Sequence, residues 1–180
     1  MAIKATVYKA DLQISDMDKH YYQNHTLTLA QHPSETHERM MIRLMVFALH
    51  AHEDLAFTRG LSSDEEPDIW LKLPTAEIDT WIDLGQPDEK RIRKACGRAR
   101  EVYIYTYAQR SAEVWWQQMS SKLERFDNLN VISLPEKTGA DLAQLVQRKM
   151  TLQCSIQDNE VWFGDEKNSV HIVPTVMKHS

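Results

Sequence analysis

Apolar and polar residues alternate at the head of the chain. Ala5, Val7 and Tyr8, followed by Leu12 and Ile14, predict a first strand, and Ser15-Asp16-Met17-Asp18 turns the chain. Tyr21 to Leu29, with Thr26 and Thr28 on one side and Leu27 and Leu29 on the other, predicts its hairpin partner. The pattern then changes to helical spacing: Met41, Leu44, Met45 and Ala48 recur within a run, Met40 to Leu49, that is apolar on most sides. A largely buried helix is expected there. Ser34, after Pro33, is its expected N-cap, with Glu35 and Glu38 near the positive end of the helix dipole.

Short apolar runs bounded by breakers follow. Leu55 to Thr58 (ended by Gly60), Asp68 to Leu73 (ended by Pro74) and Ile78 to Leu84 (ended by Gly85) predict three strands, with Asp64-Glu65-Glu66-Pro67 breaking the chain between the first two. Asp88 is the expected cap of a helix from Glu89 to about Arg100, whose buried stripe is Ile92, Ala95, Cys96 and Ala99. Val102 to Tyr107 predicts a strand, Ala112 to Leu123 a helix carrying Trp115 and Trp116, and Val131 to Leu134 another strand. A weak helical pattern covers Ala140 to Arg148. Thr151 to Ile156, the turn Asp158-Asn159 and Val161 to Phe163 predict a second hairpin, with Val170 to Val173 as a candidate further strand.

The pattern predicts one α/β domain over 1–180, with a mixed-sheet core at about 35–135 and the order α-β-β-β-α-β across 35–107. Hairpins at 3–30 and 150–174 are expected to pair as an accessory antiparallel sheet, because an isolated hairpin is marginal in water.

Composition narrows the class. The chain has 180 residues, 42% of them apolar, enough to bury a core and too apolar for disorder. The net charge of −5 argues against a non-specific nucleic-acid binder, which is more often basic. Cys96 and Cys154 have no CxxC partner, which excludes a zinc or dithiol motif and fits a reduced pair. Met1 to Asp11 has no apolar signal core, and no run approaches the roughly 20 residues of a membrane span. A soluble cytoplasmic protein with no membrane partner is the expectation.

The candidate chemistry is acidic. Pro67-Asp68 opens the second predicted strand of the middle segment, and Asp83 lies near the end of the third. Strand alternation puts Asp68 on a face with Trp70 and Lys72, and Asp83 on a face with Trp81 and Gly85, so adjacent strands can aim both carboxylates at one point. Such a pair suits Mg²⁺ or Mn²⁺, which would neutralise a phosphodiester and activate water, with a Lys or Arg stabilising the developing charge. The bland readings are that these acids cap strands and that Glu38 is a helix-dipole partner. His37, His50 and His52 lack HExxH spacing and read as surface or satisfied-core histidines, Glu66 and Glu77 as solvated loop acids although either could replace a ligand, and Trp115 and Trp116 as packing. Lys90, Arg91, Arg93, Lys94, Arg98 and Arg100 place six cations in eleven residues, either a solvated helix face or a phosphate-facing stripe.

The arrangement resembles the PD-(D/E)XK nucleases, whose motif is an acid, often after Pro, followed by acid-x-Lys on the next strand. Pro67-Asp68 and Asp83-Leu84-Gly85 match it, except that Gly85 stands where the family has Lys. The resemblance implies Asp68, Asp83 and Glu38 as metal ligands, with Lys94 first, or Arg91, as the replacement cation from the following helix. A closer resemblance, over nearly the whole chain, is to the YaeQ family. It rests on His32-Pro33-Ser34-Glu35-Thr36-His37-Glu38-Arg39-Met40-Met41, Phe57-Thr58-Arg59-Gly60, Trp81-Ile82-Asp83-Leu84-Gly85-Gln86-Pro87-Asp88, Val114-Trp115-Trp116 and Met150-Thr151-Leu152-Gln153. The expected function is a metal-dependent nuclease with a degenerate site; the alternative is an inactive nuclease fold retained as a binding or regulatory module. Metal held between Asp68 and Asp83 favours the first; carboxylates salt-bridged to Lys94 or Arg91 favour the second.

Overall fold

The computed structural model describes residues 4–59 and 63–180. Its elements in chain order begin with β1 (Thr6–Asp16), β2 (Tyr21–Gln31), α1 (His37–Leu49), β3 (Leu55–Phe57), β4 (Ile69–Lys72) and β5 (Ile78–Leu84). They continue with α2 (Glu89–Arg98), β6 (Ala99–Thr106), α3 (Gln109–Leu123), β7 (Leu129–Ser133) and α4 (Thr138–Ala143). The last are β8 (Lys149–Gln157), β9 (Glu160–Gly164), β10 (Ser169–Ile172) and β11 (Thr175–Lys178). Contacts divide the chain into two units, Met1–Ala51 with Lys137–Val173, and His52–Glu136 with Pro174–Ser180. Gly60, expected to end the first short strand, lies outside the described residues. No helix among the described residues is long and apolar enough to cross a membrane.

The first unit carries a five-stranded sheet in the order β10-β9-β8-β1-β2. Tyr8, Ala10, Leu12 and Ile14 of β1 and Met150, Leu152, Cys154 and Ile156 of β8 are all buried, the alternation that predicted the two hairpins. The hairpins do pair, but β1 and β8 run parallel, from Lys9↔Lys149 to Asp16↔Ile156. The accessory sheet is therefore mixed, not antiparallel. A period of two selects the buried face and carries no direction, so it could not distinguish the two pairings. Asp158 and Asn159 both have positive φ, as a tight two-residue hairpin turn requires, and their amides donate to the carboxylate of Asp18.

α1 is buried at every position from Met40 to Ala48. Its N-cap is Thr36, whose side chain accepts from the Arg39 amide at 3.1 Å; Ser34, the expected cap, is engaged instead with His32 Nδ1. Glu35 therefore precedes the helix and turns back onto it, accepting from Arg39 and Arg43. α4 is shorter than its sequence pattern. An added Cβ at Gly139 would stand 3.0 Å from the Glu38 Cβ, so this glycine allows the two helices to approach closely.

The second unit has a six-stranded sheet in the order β11-β7-β6-β5-β4-β3. β5, β6 and β7 are parallel and the flanking pairs antiparallel. Its core joins Trp81, Val102, Ile104, Leu129 and Val131 of the sheet to Ile92 and Ala95 of α2 and Trp115, Met119 and Leu123 of α3. Trp115 is buried and donates to the Pro87 carbonyl at 2.9 Å, the packing role its position suggested. β11 carries too few apolar residues to register as a strand in the sequence; it pairs with β7, and Lys178 donates to the Phe126 carbonyl.

Candidate carboxylate site and the basic helix

The antiparallel register of β4 and β5 pairs Ile69 with Ile82 and Trp70 with Trp81. Continued by one residue, it sets Asp68 opposite Asp83, and the Asp68 amide donates to the Ile82 carbonyl at 3.1 Å. Thr58 holds the start of this strand: its amide donates to the Asp68 carbonyl and its hydroxyl to the Pro67 carbonyl. Trp70 and Trp81 meet edge to face on the side of the sheet that parity assigns to both acids.

Both carboxylates are buried, Asp68 at 4% and Asp83 at 2% exposure, so each needs partners. Asp68 accepts from the Leu84 amide at 2.8 Å. Asp83 accepts from the Trp81 indole at 3.1 Å and from Arg91 twice, Nε at 2.9 Å and Nη2 at 3.0 Å. That is the bidentate fork for which guanidinium is suited. Burial pushes the Asp83 carboxyl above its ordinary value; Arg91 and Trp81 oppose the shift, and the charge of Asp68 adds to it. Burial alone would lower Arg91, but its bonds to Asp83 and the charges of Asp83, Asp68 and Asp64 outweigh that and hold it above its usual value.

α2 delivers the cations. Asp88 caps it as expected, its carboxylate accepting from the Arg91 amide at 2.8 Å. That cap fixes the first turn and sets Arg91 beside Ile92 at the border of the buried stripe, from which it reaches Asp83. Lys94, a turn further on, donates to Glu65 at 2.6 Å and not to Asp83. The charge that reaches the carboxylate is thus Arg91, the second of the two expected candidates. Gly85 has φ +106°, a backbone conformation that L side chains rarely adopt. A strand lysine at that position would be strained, whatever the space around it.

Glu38 lies exposed on the first turn of α1, in the first unit, and the site described here comprises residues of the second unit alone. Among the described residues no group of three or more His, Cys, Asp or Glu is gathered as a metal site. Both oxygens of Asp83 and one of Asp68 already accept hydrogen bonds. Mg²⁺ takes an octahedron of oxygens. These residues, in this arrangement, do not fit it unless Arg91 leaves.

A profile described as YaeQ protein matches residues 1–174. The chain belongs to the YaeQ family. It is 48% identical over 172 residues to YaeQ of Escherichia coli K12, covering 96% of this chain and 95% of that one. The crystal structure of YaeQ from Xanthomonas axonopodis pv. citri superposes with a TM-score of 0.95 at 50% identity, over 98% of this chain and 99% of that chain. YaeQ from Pseudomonas syringae gives a TM-score of 0.93 at 30% identity, over 98% and 97%. The mixed α/β architecture with two mixed sheets is thus that of solved YaeQ structures. None of these names states a reaction or a ligand.

Proposed function

We propose that this protein is a nuclease-like fold that does not hydrolyse phosphodiesters and works as a binding module. The order α1-β3-β4-β5-α2-β6 resembles the PD-(D/E)XK core, and a guanidinium occupies the place where that superfamily holds its metal. One observation carries the reading: the bidentate bridge from Arg91 to Asp83. It neutralises the buried carboxylate that would otherwise attract a divalent cation. The positive φ of Gly85 supports the same reading, because the backbone there disfavours the lysine the hydrolytic motif needs.

A second reading, the metal-dependent nuclease, is favoured by Asp68 and Asp83 meeting across β4 and β5. It requires Mg²⁺ or Mn²⁺ to displace Arg91 from Asp83, after which Arg91 would serve as the charge stabiliser in the role first expected of Lys94. A cleavage assay separates the two, using single-stranded, duplex and structured nucleic acids with Mg²⁺ or Mn²⁺. The binding-module reading gives no turnover above an Asp83→Ala control. Turnover that depends on Asp83, and that falls roughly 10²–10³-fold in Arg91→Ala, establishes the nuclease.

A further inference from the structure

Arg91, Lys94 and Arg98 follow one another at the three- and four-residue spacing that lines up one helix face. All three close on one short segment of their own chain. Arg91 Nη1 and Nη2 donate to the carbonyls of Asp64 and Glu66 at 3.4 and 3.0 Å. Lys94 Nζ donates to the Glu65 carboxylate at 2.6 Å, and Arg98 Nη1 to the Glu65 carbonyl at 2.8 Å. Asp64-Glu65-Glu66 thus lays three carbonyls and the Glu65 carboxylate along a cationic stripe, while the Glu66 carboxylate accepts from the Arg59 amide at 3.1 Å. A phosphodiester backbone presents the same pattern to a basic helix. Lys90 and Arg93 on the same helix are exposed and have no acidic partner among the described residues.

The stripe also leads into aromatic rings. The Arg98 guanidinium stands 5.2 Å from the centre of the Trp81 ring, Trp81 meets Trp70 edge to face, and Lys72 Nζ lies 4.1 Å from the Trp70 ring. Trp70 is half-buried at the edge of the core. Cations interleaved with a half-buried indole suit a ligand carrying both phosphates and bases, and an acidic peptide would use only the cations.

We infer that the exposed face of α2, continued by Trp70, binds a nucleic-acid strand through its phosphodiester backbone, and that Asp64–Glu66 is a built-in competitor for that face. This rests on the binding-module reading and names its ligand class. The Glu65 side chain is held by exposed ion pairs, which are weak and screened by salt, and the rest of the segment by carbonyl bonds to Arg91 and Arg98, which phosphate oxygens of a longer polyanion can replace. The net charge of −5 is compatible with such a surface, because five cations are gathered on the one helix α2.

The test is fluorescence anisotropy of a labelled single-stranded oligodeoxynucleotide with the full chain and chelator present. Asp64→Asn/Glu65→Gln/Glu66→Gln is expected to bind about tenfold tighter than the parent. Its affinity should fall more steeply with salt, by roughly 0.7 in log–log slope per added phosphate contact. Lys90→Ala/Arg93→Ala is expected to weaken binding. A control with the same charge change elsewhere, Glu124→Gln/Asp127→Asn/Glu136→Gln, should leave affinity within about twofold. No gain in the first variant with its circular dichroism unchanged, an equal gain in the control, or no effect of the lysine–arginine pair overturns the proposal. Cleavage of the same strand on adding Mn²⁺, lost in Asp83→Asn, would instead overturn the non-hydrolytic reading and leave the competitor standing.

Discussion

Two arginine–carboxylate forks, one in each unit, have nearly the same geometry and different exposure. Arg43 meets both oxygens of Glu35 at 3.2 and 2.9 Å, and Arg91 meets both oxygens of Asp83 at 2.9 and 3.0 Å. Around Glu35 a second cation, Arg39, joins at 2.9 Å, and Arg43 also donates to the Ala30 carbonyl. One acid thus serves two cations, and the side chains of Arg43 and Glu35 are 6% and 3% exposed. Around Asp83 a second buried acid, Asp68, stands across the strand pair, and the Arg91 side chain is 24% exposed. The first cluster is closed on itself and ties the approach from β2 to the body of α1. The second sets two buried acids behind a partly accessible cation, the arrangement expected of a site and not of a strut.

The largest effect should come from breaking the closed fork. Arg43→Leu leaves the buried Glu35 short of a partner and is expected to cost about 3–5 kcal/mol by urea unfolding. A loss below about 1 kcal/mol would remove the architectural role of the cluster.

Arg91→Ala should cost less, about 2–3 kcal/mol near neutral pH, because its side chain is already partly solvated. Its pH dependence is the sharper test. Burial and Asp68 already raise the Asp83 carboxyl, and losing Arg91 raises it further. The folded state then keeps a proton that the unfolded chain releases. Stability therefore falls as pH rises between the ordinary carboxylate value and the raised one, and the deficit shrinks at lower pH. Unfolding at roughly pH 5 and pH 8 should show this slope, and Asp83→Asn in the same background should flatten it. A pH-independent deficit would mean that Asp83 is not the group left unpaired.

The smallest effect separates the two candidate caps beside the closed fork. Thr36→Ala should cost about 1 kcal/mol, and Ser34→Ala less than about 0.5 kcal/mol. The reverse order in thermal unfolding would restore Ser34 as the cap.

Much of this was legible in the sequence because each middle strand is short and closed by a breaker, which fixes parity. Parity alone set Asp68 and Asp83 on one face with Trp70 and Trp81. Gly85 was legible as a departure from the nuclease resemblance, but its positive φ was not, since that conformation leaves no mark beyond the glycine itself. The choice of Arg91 over Lys94 depended on how the Asp88 cap orients the first turn of α2, a difference of less than one helical turn. The part played by Asp64-Glu65-Glu66 was hidden for another reason. Those residues look like a solvated breaker, and the cations they meet lie more than twenty positions further along the chain. The parallel pairing of β1 with β8 was invisible because an alternating pattern reads the same in both directions.

On the binding-module reading Arg91, and not a divalent cation, holds the Asp83 carboxylate. That reading is tested most directly by following the Arg91 Nε–H and Trp81 indole N–H signals of ¹⁵N-labelled protein during titration with Mg²⁺ and then trace Mn²⁺. Both groups donate to the same oxygen of Asp83, so both report its occupancy. The two signals should then keep their positions through the Mg²⁺ titration and show no selective broadening by Mn²⁺. A saturable shift of both signals, with selective Mn²⁺ broadening centred on Asp68 and Asp83, would contradict it.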